Sequence, residues 1–256
     1  MQKKISLVLP VFLLIIYSFW YCPNDLEVTT HYRKYNEAEN SIKVAHVSDL
    51  HTKGVGTVEE KLFDALMEVN PDVIVITGDL AAPGGTRSGY NQVLGKLKAP
   101  LGVYFIKGNW EYWKPVSHLD ELLLSKGILN ITNKKVQLKK GVWLAGFDDA
   151  LEGEPDMELL ESLNGSDFNI GIFHTPVFFK KSYKFVDLSL AGHTHGGQVR
   201  LPYFGPVWTP AGTGEYVAGW YNIGNSELYV SRGIGTSMLP VRFNCRPELA
   251  IFEISF

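Results

Sequence analysis

The first half of the chain alternates between apolar runs typical of strands and segments with apolar residues at helical spacing. Ile42–Val47 predicts a strand, and the β-branched run Asp72–Thr77 predicts a strand buried on both faces. The segment between them predicts a helix that begins with Thr57 and Glu60, in the pattern of a capping box. The same reasoning predicts a helix at Tyr90–Lys98, a strand at Gly102–Ile106 and a helix at Leu119–Lys126. This βαβαβα order indicates parallel strands covered by helices.

The second half predicts short strands with fewer helices between them. These strands are Val136–Leu138, Val142–Phe147, Asn169–Phe173, Leu188–Ala191 and Leu249–Ile254, with a hairpin of Glu215–Asn222 and Glu227–Ser231 around Gly224 and Asn225. Together the two halves predict an α/β fold, a four-layer sandwich of two mixed β-sheets flanked by helices.

The first residues differ from the rest, because Lys3 and Lys4 precede the apolar run Ile5–Tyr21. A helix of that length spans roughly 25 Å, at the short end for crossing a bilayer, and its aromatic far end suits the membrane interface. The two lysines favour an N-terminus on the cytoplasmic side. We therefore predict a single-pass membrane anchor with the rest of the chain on the extracytoplasmic side.

Two alternatives to this anchor are a cleaved signal peptide and a peripheral interfacial helix. An uncleaved anchor is favoured because no A-x-A cleavage site follows the apolar run. The domain boundaries that follow are an anchor or signal peptide at residues 1–22, a polar linker at 23–40 and a folded domain at 41–256.

Composition and charge narrow the class of protein. With 256 residues, 45% hydrophobic and 20% charged, the chain can bury a full core. The formal net charge of −3 leaves no basic patch, so nucleic acid is not an expected partner. Cys22 and Cys245 are far apart and form no CxxC pair, which indicates structural thiols.

Polar side chains capable of chemistry follow the predicted strands at the point where each strand ends. In open α/β sheets, ligands bind beyond the carboxyl ends of strands. Five strand ends deliver Asp, Asn or His residues, which we expect to meet in one site: Asp49 and His51, Asp79, Asn109, His174, and the pair His193 and His195.

These residue types define a metal site. Carboxylate, amide and imidazole groups without thiolate suit borderline divalent ions such as Mn, Fe, Zn or Co, of which we favour Mn. Seven groups are too many for one tetrahedral site, but they suit two ions that share a bridging Asp. Two such ions can clamp a phosphoryl group and generate a hydroxide nucleophile at neutral pH.

The ordered motifs D-x-H, G-D, G-N, H and G-H-x-H resemble those of the calcineurin-like metallophosphoesterase family, from Ile42 to the C-terminus. The resemblance implies the sandwich of mixed sheets and assigns roles to individual residues. It implies that Asp79 bridges the ions, that Asp49, His51 and His195 bind one ion, and that Asn109, His174 and His193 bind the other. Of these, we take Asp79, Asn109 and His193 as the catalytic set.

Two further stretches, G-H-T-H-G-G-Q-V and S-R-G-I-G-T-S with P-V-R-F, are similar to the membrane-anchored bacterial branch of that family. Some members of the branch cleave the pyrophosphate of UDP-2,3-diacylglucosamine, and others are described only as phosphodiesterases. The resemblance implies a hydrolase of phosphoric esters or phosphoanhydrides that acts on a phosphorylated small molecule or lipid of the envelope. The alternatives are a phosphoprotein phosphatase and a catalytically degenerate, membrane-tethered binding module.

The chain departs from the family at Trp110. The usual motif is G-N-H followed by an acid, whereas here it reads Gly108, Asn109, Trp110 and Glu111. Tryptophan cannot protonate a leaving group. A phosphate leaving group, with a pKa near 6, departs without protonation. The substitution therefore favours a phosphoanhydride, or a diester with a good leaving group.

Three residues are candidates for contact with the substrate. Arg232 and Arg242 lie in the late glycine-rich segment, and arginine suits a bidentate grip on phosphate. Trp110 could form a wall for an acyl chain or a base, or it could simply pack in the core. His46, inside the first strand, is interpreted as a core residue.

Overall fold

The computed structural model describes residues 2–35, 40–163 and 165–256, with side chains from residue 8 onward. The helices are α1 (Gln2–Ile16), α2 (Thr57–Val69), α3 (Arg87–Leu94), α4 (Trp110–Trp113), α5 (Leu119–Ser125), α6 (Met157–Glu161) and α7 (Phe179–Ser182). The strands are β1 (Glu27–Lys34), β2 (Ser41–Val47), β3 (Val73–Thr77), β4 (Val103–Ile106), β5 (Ile128–Asn130), β6 (Lys134–Lys139), β7 (Val142–Gly146), β8 (Phe168–Ile172), β9 (Leu188–Ala191), β10 (Arg200–Leu201), β11 (Gly205–Pro206), β12 (Gly219–Ile223), β13 (Ser226–Val230) and β14 (Glu248–Ser255).

Two six-stranded mixed sheets form the body of the protein. The first sheet has the order β1-β14-β2-β3-β4-β5, in which β2 to β5 run parallel and β14 is antiparallel to β2. The second has the order β12-β13-β9-β8-β7-β6, with a parallel centre from β13 to β7. The short strands β10 and β11 form a separate hairpin. This confirms the predicted fold class.

Successive side chains of β2 point to opposite faces of the first sheet, and each face packs against a different layer. Ile42 and Val44 of β2 belong to a core cluster that also contains residues of β8 and β9, so this face packs between the sheets. Ala45 and Val47 point the other way, into a cluster with residues of α2, α3 and α5. A third cluster lies between the second sheet and α6 and α7. The result is the four-layer α/β/β/α arrangement.

Two predicted boundaries shift in the structure. Helix α2 begins one residue earlier than its expected capping box: the Oε2 of Glu59, rather than Glu60, accepts a hydrogen bond from the backbone N of Gly56 at 3.0 Å. The predicted linker also proves partly structured. Glu27–Lys34 is the edge strand β1, paired in parallel with β14, so it belongs to the folded domain. Residues 36–39 of that linker lie outside the described residues.

The N-terminal helix runs further than α1 alone. A π-helical turn at Tyr17–Tyr21 and a 3-10 turn at Cys22–Asn24 extend it almost to β1. The sequence predicted a membrane-spanning helix here. Within the part of the chain that the structure describes, no helix combines the length and the apolar character needed to cross a bilayer.

Candidate metal centre

The structure brings the seven expected side chains together at the carboxyl ends of five strands. Asp49 and His51 follow β2, Asp79 follows β3, and Asn109 follows β4 in the first sheet. His174 follows β8, and His193 and His195 follow β9 in the second sheet. All seven are buried. The site therefore lies where the carboxyl edges of the two sheets meet, as the motif spacing predicted.

One half of the centre is built from two imidazoles and a carboxylate. The Nε2 atoms of His51 and His195 lie 3.2 Å apart, and the rings are nearly parallel. The Oδ1 of Asp49 lies 3.4 Å from the Nε2 of His195. These ligand atoms of Asp49, His51 and His195 fall within 4.8 Å of one another.

The other half centres on an amide oxygen. The Oδ1 of Asn109 lies 3.0 Å from the Nε2 of His174 and 2.9 Å from the Nδ1 of His193. Asp79 lies between the halves, since its Oδ2 is 3.4 Å from the Nε2 of His51 and 3.5 Å from the Nε2 of His174. Asp49 also reaches both halves, because it forms a second compact group with Asp79 and His174.

The donor set fits divalent metal ions. Nitrogen and oxygen atoms that carry lone pairs converge from every side, and such a cluster is favourable only with a proton or a cation between them. Carboxylate, amide and imidazole groups without thiolate are the ligands of borderline divalent ions. The Nδ1 atoms of His51 and His195 are buried without a hydrogen-bond partner, so each ring's Nε2 is the atom aimed into the cluster.

Hydrogen bonds behind the site fix the orientation of the other groups. His174 donates from Nδ1 to the carbonyl of Thr77 at 2.7 Å, and His193 donates from Nε2 to the carbonyl of Ala211 at 2.6 Å. Both bonds leave the opposite ring nitrogen free to bind a metal ion. The Oδ2 of Asp49 accepts from the hydroxyl of Ser48 at 2.5 Å and from the backbone N of His193 at 3.0 Å.

Backbone strain is concentrated at the same residues. Five of the seven, Asp49, His51, Asp79, His193 and His195, have positive φ angles between 44° and 72°. Non-glycine residues seldom adopt this left-handed conformation, and Asp and His are among those that tolerate it. The sharp turns it produces direct the side chains back over the strand ends.

Charges inside the centre perturb the pKa values of its members. Burial would raise the pKa of Asp79, but the charge of His174 lowers it below its ordinary value. Burial would lower the pKa of His174, whereas the charge of Asp79 raises it well above its usual range. Burial lowers the pKa of His51, of His193 and, by a larger amount, of His195. Three of the four histidines are thus held neutral, the form that binds metal.

Glu111 supports the site, although the sequence motifs assigned it no role. Its carboxylate accepts hydrogen bonds from the backbone N of Asp79 at 2.9 Å, of Leu80 at 3.0 Å and of Gly108 at 2.8 Å. Burial, followed by the charge of Asp79, raises its pKa to about 7. Glu111 therefore ties the G-D turn to the G-N turn. The sequence signal for this role was the acidic residue that follows G-N-x in the family motif.

The G-D turn and the G-N turn lie so close together that position 78 has room only for glycine. Gly78 has a φ of 84°, and a Cβ there would lie 2.5 Å from the backbone N of Gly108 and 2.8 Å from the Nδ1 of His174. Any side chain at position 78 would push the turns apart.

Trp110 is half-buried and lies beside the metal centre. Its ring centroid is 4.7 Å from that of His51 in an edge-on arrangement, and the Nζ of Lys114 lies 4.8 Å from the Trp110 ring centroid. Its backbone N donates to the Oδ1 of Asp79 at 2.9 Å. The indole therefore stands at the position where the family motif carries a histidine.

The two arginines differ from the expectation that they bind substrate phosphate. Arg242 is completely buried, and its guanidinium donates to the carbonyls of Arg232, Gly233, Gly235 and Cys245. It holds the glycine-rich loop in place and presents no surface to a substrate. Arg232 is engaged in ion pairs with Glu27 at 2.7 Å and Glu248 at 3.0 Å.

The loop held by Arg242 supports Asp49 directly. The backbone N of Ile234 donates to the carbonyl of Ser48 at 3.0 Å, and that of Gly235 donates to the carbonyl of Asp49 at 2.8 Å. Arg242 thus stabilises the metal centre indirectly, because the loop that it holds is hydrogen-bonded to the backbone around Asp49. The sequence predicted phosphate binding for Arg242 and gave no sign of this supporting role.

Comparison with known proteins places this geometry in a family. Residues 42–197 match the family model described as calcineurin-like phosphoesterase. A similar protein is the uncharacterized metallophosphoesterase YkuE of Bacillus subtilis, 33% identical over 91% of this chain and 86% of that protein. Another is the phosphodiesterase YaeI of Escherichia coli, 30% identical over 83% of this chain and 82% of that protein. The chain belongs to the calcineurin-like phosphoesterase family and is a phosphoesterase hydrolase whose site suits divalent metal ions.

Solved structures agree on the fold. The TT1561 protein of Thermus thermophilus superposes with a TM-score of 0.50 at 15% identity, covering 76% of this chain and 91% of that one. Among longer relatives, the transmembrane protein with metallophosphoesterase domain of Danio rerio is 29% identical over 89% of this chain and 56% of that protein.

Proposed function

We propose that this protein is a metal-dependent phosphodiesterase or pyrophosphatase that uses two divalent ions, with manganese favoured. The observation that carries the proposal is the position of Asp79, whose Oδ2 lies 3.4 Å from His51 and 3.5 Å from His174. A carboxylate placed between two sets of nitrogen ligands suits a bridge between two ions. Asp49, His51 and His195 would hold one ion, and Asn109, His174 and His193 the other.

Two bound ions would supply an activated water and neutralise charge on the phosphoryl group. The chain's own residues fix the geometry for this chemistry. Asn109 offers an amide oxygen, which keeps its half of the site less negative than a carboxylate would. His193 is locked by its bond to Ala211, so its Nδ1 faces the reacting centre. The burial of all seven groups strengthens every electrostatic interaction with an anionic substrate.

Trp110 supports the choice of substrate class. The indole occupies the place beside His51 from which the family's histidine could protonate a leaving group. Because Trp110 cannot do so, we expect the protein to cleave bonds whose leaving group departs unprotonated. A pyrophosphate linkage meets this condition, and UDP-2,3-diacylglucosamine is one lipid- and nucleotide-linked example. Simple alkyl phosphates do not meet it.

The membrane association predicted from the sequence remains part of the proposal. Residues 8–16 of α1 are apolar apart from Pro10, and they are exposed on all sides of the helix. Such a helix is stable in contact with lipid or another apolar partner. We propose that it attaches the enzyme to a membrane, with the folded domain on the extracytoplasmic side as Lys3 and Lys4 suggest.

Hydrolysis of bis-p-nitrophenyl phosphate by the detergent-solubilised full chain, loaded with Mn, tests the proposal. We expect activity in the natural sequence and a loss of at least about a hundredfold in Asp79→Asn. Ser189→Ala is a matched control, because Ser189 is buried in β9 without a hydrogen-bond partner. It should retain activity. A folded, metal-loaded protein with no activity towards this diester or a pyrophosphate substrate would instead indicate a degenerate binding module.

A further inference from the structure

A band of exposed apolar side chains lies on two loops whose flanking segments hold residues of the metal centre. It consists of residues 201–208, which form the tip of the β10–β11 hairpin and the segment after it, together with residues 238–239; we call it the apolar rim. Phe204 is 86% exposed and Trp208 65% exposed. Large apolar side chains exposed together in two neighbouring loops indicate an interaction surface rather than chance exposure.

The two parts of the rim are fixed to each other. The side chain of Gln198 donates to the carbonyl of Leu239 at 3.2 Å and accepts from the backbone N of Ser237 at 2.6 Å. The backbone N of Arg200 donates to the carbonyl of Phe243 at 2.9 Å. These bonds make the hairpin and the 238–239 loop one structural unit.

The segment that follows the rim contacts the N-terminal helix. The backbone N of Arg242 donates to the carbonyl of Ser18 at 2.9 Å, and the rings of Tyr17 and Phe243 meet edge to face at 5.8 Å. The helix turns end at Asn24 and β1 begins at Glu27, so only two residues separate the helix from the sheet. The N-terminal helix is therefore attached to the segment that directly follows the second part of the rim.

The charge of this surface identifies its partner. Residues 2–24, 196–214 and 233–247 contain no Asp or Glu, although the chain has 27 acidic residues. Arg242 is buried and Arg246 pairs with Asp25, so the cations that these stretches offer to a partner are Lys3, Lys4 and Arg200. Tyr203 and Trp208 in the rim, like Trp20 and Tyr21 in the helix, are the residue types enriched at the level of lipid headgroups. Apolar and aromatic groups with cations and no anions suit an anionic bilayer.

The surface is also tied to the catalytic residues. The segment that carries the rim begins directly after His195 and ends at Ala211, whose carbonyl holds His193. The Sγ of Cys245, from the segment after the second part of the rim, donates to the carbonyl of His195 at 3.3 Å. The segments that carry the rim therefore also hold two candidate metal ligands, His193 and His195, in place.

We infer that the apolar rim inserts into the surface of an anionic phospholipid bilayer beside the N-terminal helix, and so holds the metal centre against the headgroups. The inference rests on the proposed function in one respect: the phosphoester or pyrophosphate substrate is then a lipid presented at that surface. The proposed partner of the rim is lipid, and the alternative is that the rim packs against a second copy of the chain.

A spin label at the rim measures this contact without relying on activity. Cys22 and Cys245 are buried, so a cysteine introduced as Tyr203→Cys can be labelled selectively in the full chain. With vesicles of phosphatidylglycerol and phosphatidylethanolamine, the label should become accessible to oxygen and protected from a water-soluble nickel complex. A label at Leu124→Cys, exposed on α5 near the sheet edge opposite β1, should stay aqueous.

The outcomes separate lipid contact from its alternatives. A label at position 203 that stays aqueous on vesicle-bound protein overturns the inference, as does protection in lipid-free solution that grows with protein concentration, which would indicate a dimer. The same label in an Asp79→Asn background should behave identically, so a failed catalytic assignment would not be confused with a failed membrane contact.

A second measurement links the rim to turnover. Phe204→Ser with Trp208→Ser should lower partitioning onto these vesicles by about tenfold or more, since two large apolar side chains leave the bilayer. Hydrolysis of a vesicle-embedded phosphodiester should fall with it, while hydrolysis of soluble bis-p-nitrophenyl phosphate stays within about twofold. An equal loss on both substrates would show that the rim supports the site rather than the membrane contact.

Discussion

The Nε2 of His46 lies 2.8 Å from the hydroxyl of Thr77, at the level where the core between the sheets changes from apolar to polar. Thr77 in turn donates to Ser48 at 2.8 Å, and Ser48 donates to the Oδ2 of Asp49 at 2.5 Å. Because each hydroxyl passes its proton towards Asp49, His46 must be the donor at the start. A buried chain of hydrogen bonds thus runs from the core to a candidate metal ligand.

This chain predicts that Ser48 contributes to metal affinity. In Ser48→Ala the Oδ2 of Asp49 loses its shortest hydrogen bond and keeps only the backbone N of His193. Loss of such an outer partner typically weakens metal binding or activity by about 10–100-fold. Titration calorimetry with Mn should show this loss. Ser189→Ala, which removes a buried hydroxyl without a partner, should bind Mn as the natural sequence does; equal affinity in both variants would contradict the role of Ser48.

His46 should make stability depend on pH. Burial lowers the pKa of His46 from 6.5 to about 3. At a pH between these two pKa values, His46 is protonated in the unfolded chain and neutral in the folded chain. The free energy of unfolding therefore falls as the pH drops below 6.5. Replacement by Gln keeps a donor for Thr77 but removes the titration.

We therefore expect the stability advantage of the natural sequence over His46→Gln to shrink with falling pH. The change is at most about 1.4 kcal/mol per pH unit below 6.5. Urea unfolding at pH 7.5, 6 and 5, with a chelator present, measures it. Parallel stability curves for the two proteins would rule out a buried, neutral His46.

Glu111 should be essential to the shape of the centre. Glu111→Gln replaces one acceptor oxygen with an NH₂ group facing backbone N–H donors of Asp79, Leu80 or Gly108. Leaving such a donor unpaired costs about 1–3 kcal/mol. We expect a lower melting temperature together with weaker Mn binding. Glu121→Gln, at an exposed acid of α5, is the control and should change neither quantity.

Arg242 should matter for stability more than any surface arginine. Arg242→Met leaves the carbonyls of Arg232 and Gly235 without their donor and removes one of the two donors to the carbonyl of Gly233. We expect a loss of about 3 kcal/mol or more. Arg246→Met removes a half-exposed ion pair with Asp25 and should cost about 1 kcal/mol or less. Denaturant unfolding compares the two. Similar losses would show that the carbonyl contacts of Arg242 contribute little.

Trp110 should set the preference for leaving groups. Trp110→His places an imidazole where a leaving group can be protonated, so hydrolysis of alkyl phosphodiesters should rise relative to p-nitrophenyl diesters, by about tenfold or more. Trp110→Phe restores no proton donor and should leave that ratio unchanged. A ratio that moves equally in both variants would assign the effect to space in the site and not to proton transfer.

The motifs predicted that these seven side chains converge, because each candidate ligand directly follows a strand. Their position depends on local spacing and on the parallel arrangement of strands, and both can be read from the chain. Strand β1 escaped prediction for the opposite reason: at the sheet edge its residues alternate between half-buried and exposed, and its charged residues resemble a linker. Only its pairing with β14, more than two hundred residues away, defines it.

Arg242 illustrates a second limit. An arginine in a glycine-rich segment looks like a phosphate ligand, because the chemistry of guanidinium suits both anions and carbonyls. Which partner it takes depends on whether the loop folds around it. Here the carbonyls of Gly233 and Gly235 close on the guanidinium, a tertiary arrangement that no local pattern encodes.

The left-handed backbone at five of the seven candidate ligands affects how the site should be probed. At such positions alanine removes the ligand and also introduces a residue that disfavours the turn, so an alanine variant would report two losses as one. Asparagine tolerates the same conformation. Replacing a histidine with asparagine therefore removes the imidazole and keeps the turn, whereas replacing an aspartate with asparagine removes the negative charge and keeps one side-chain oxygen. At the histidines, the difference between the alanine and asparagine variants measures the contribution of the turn.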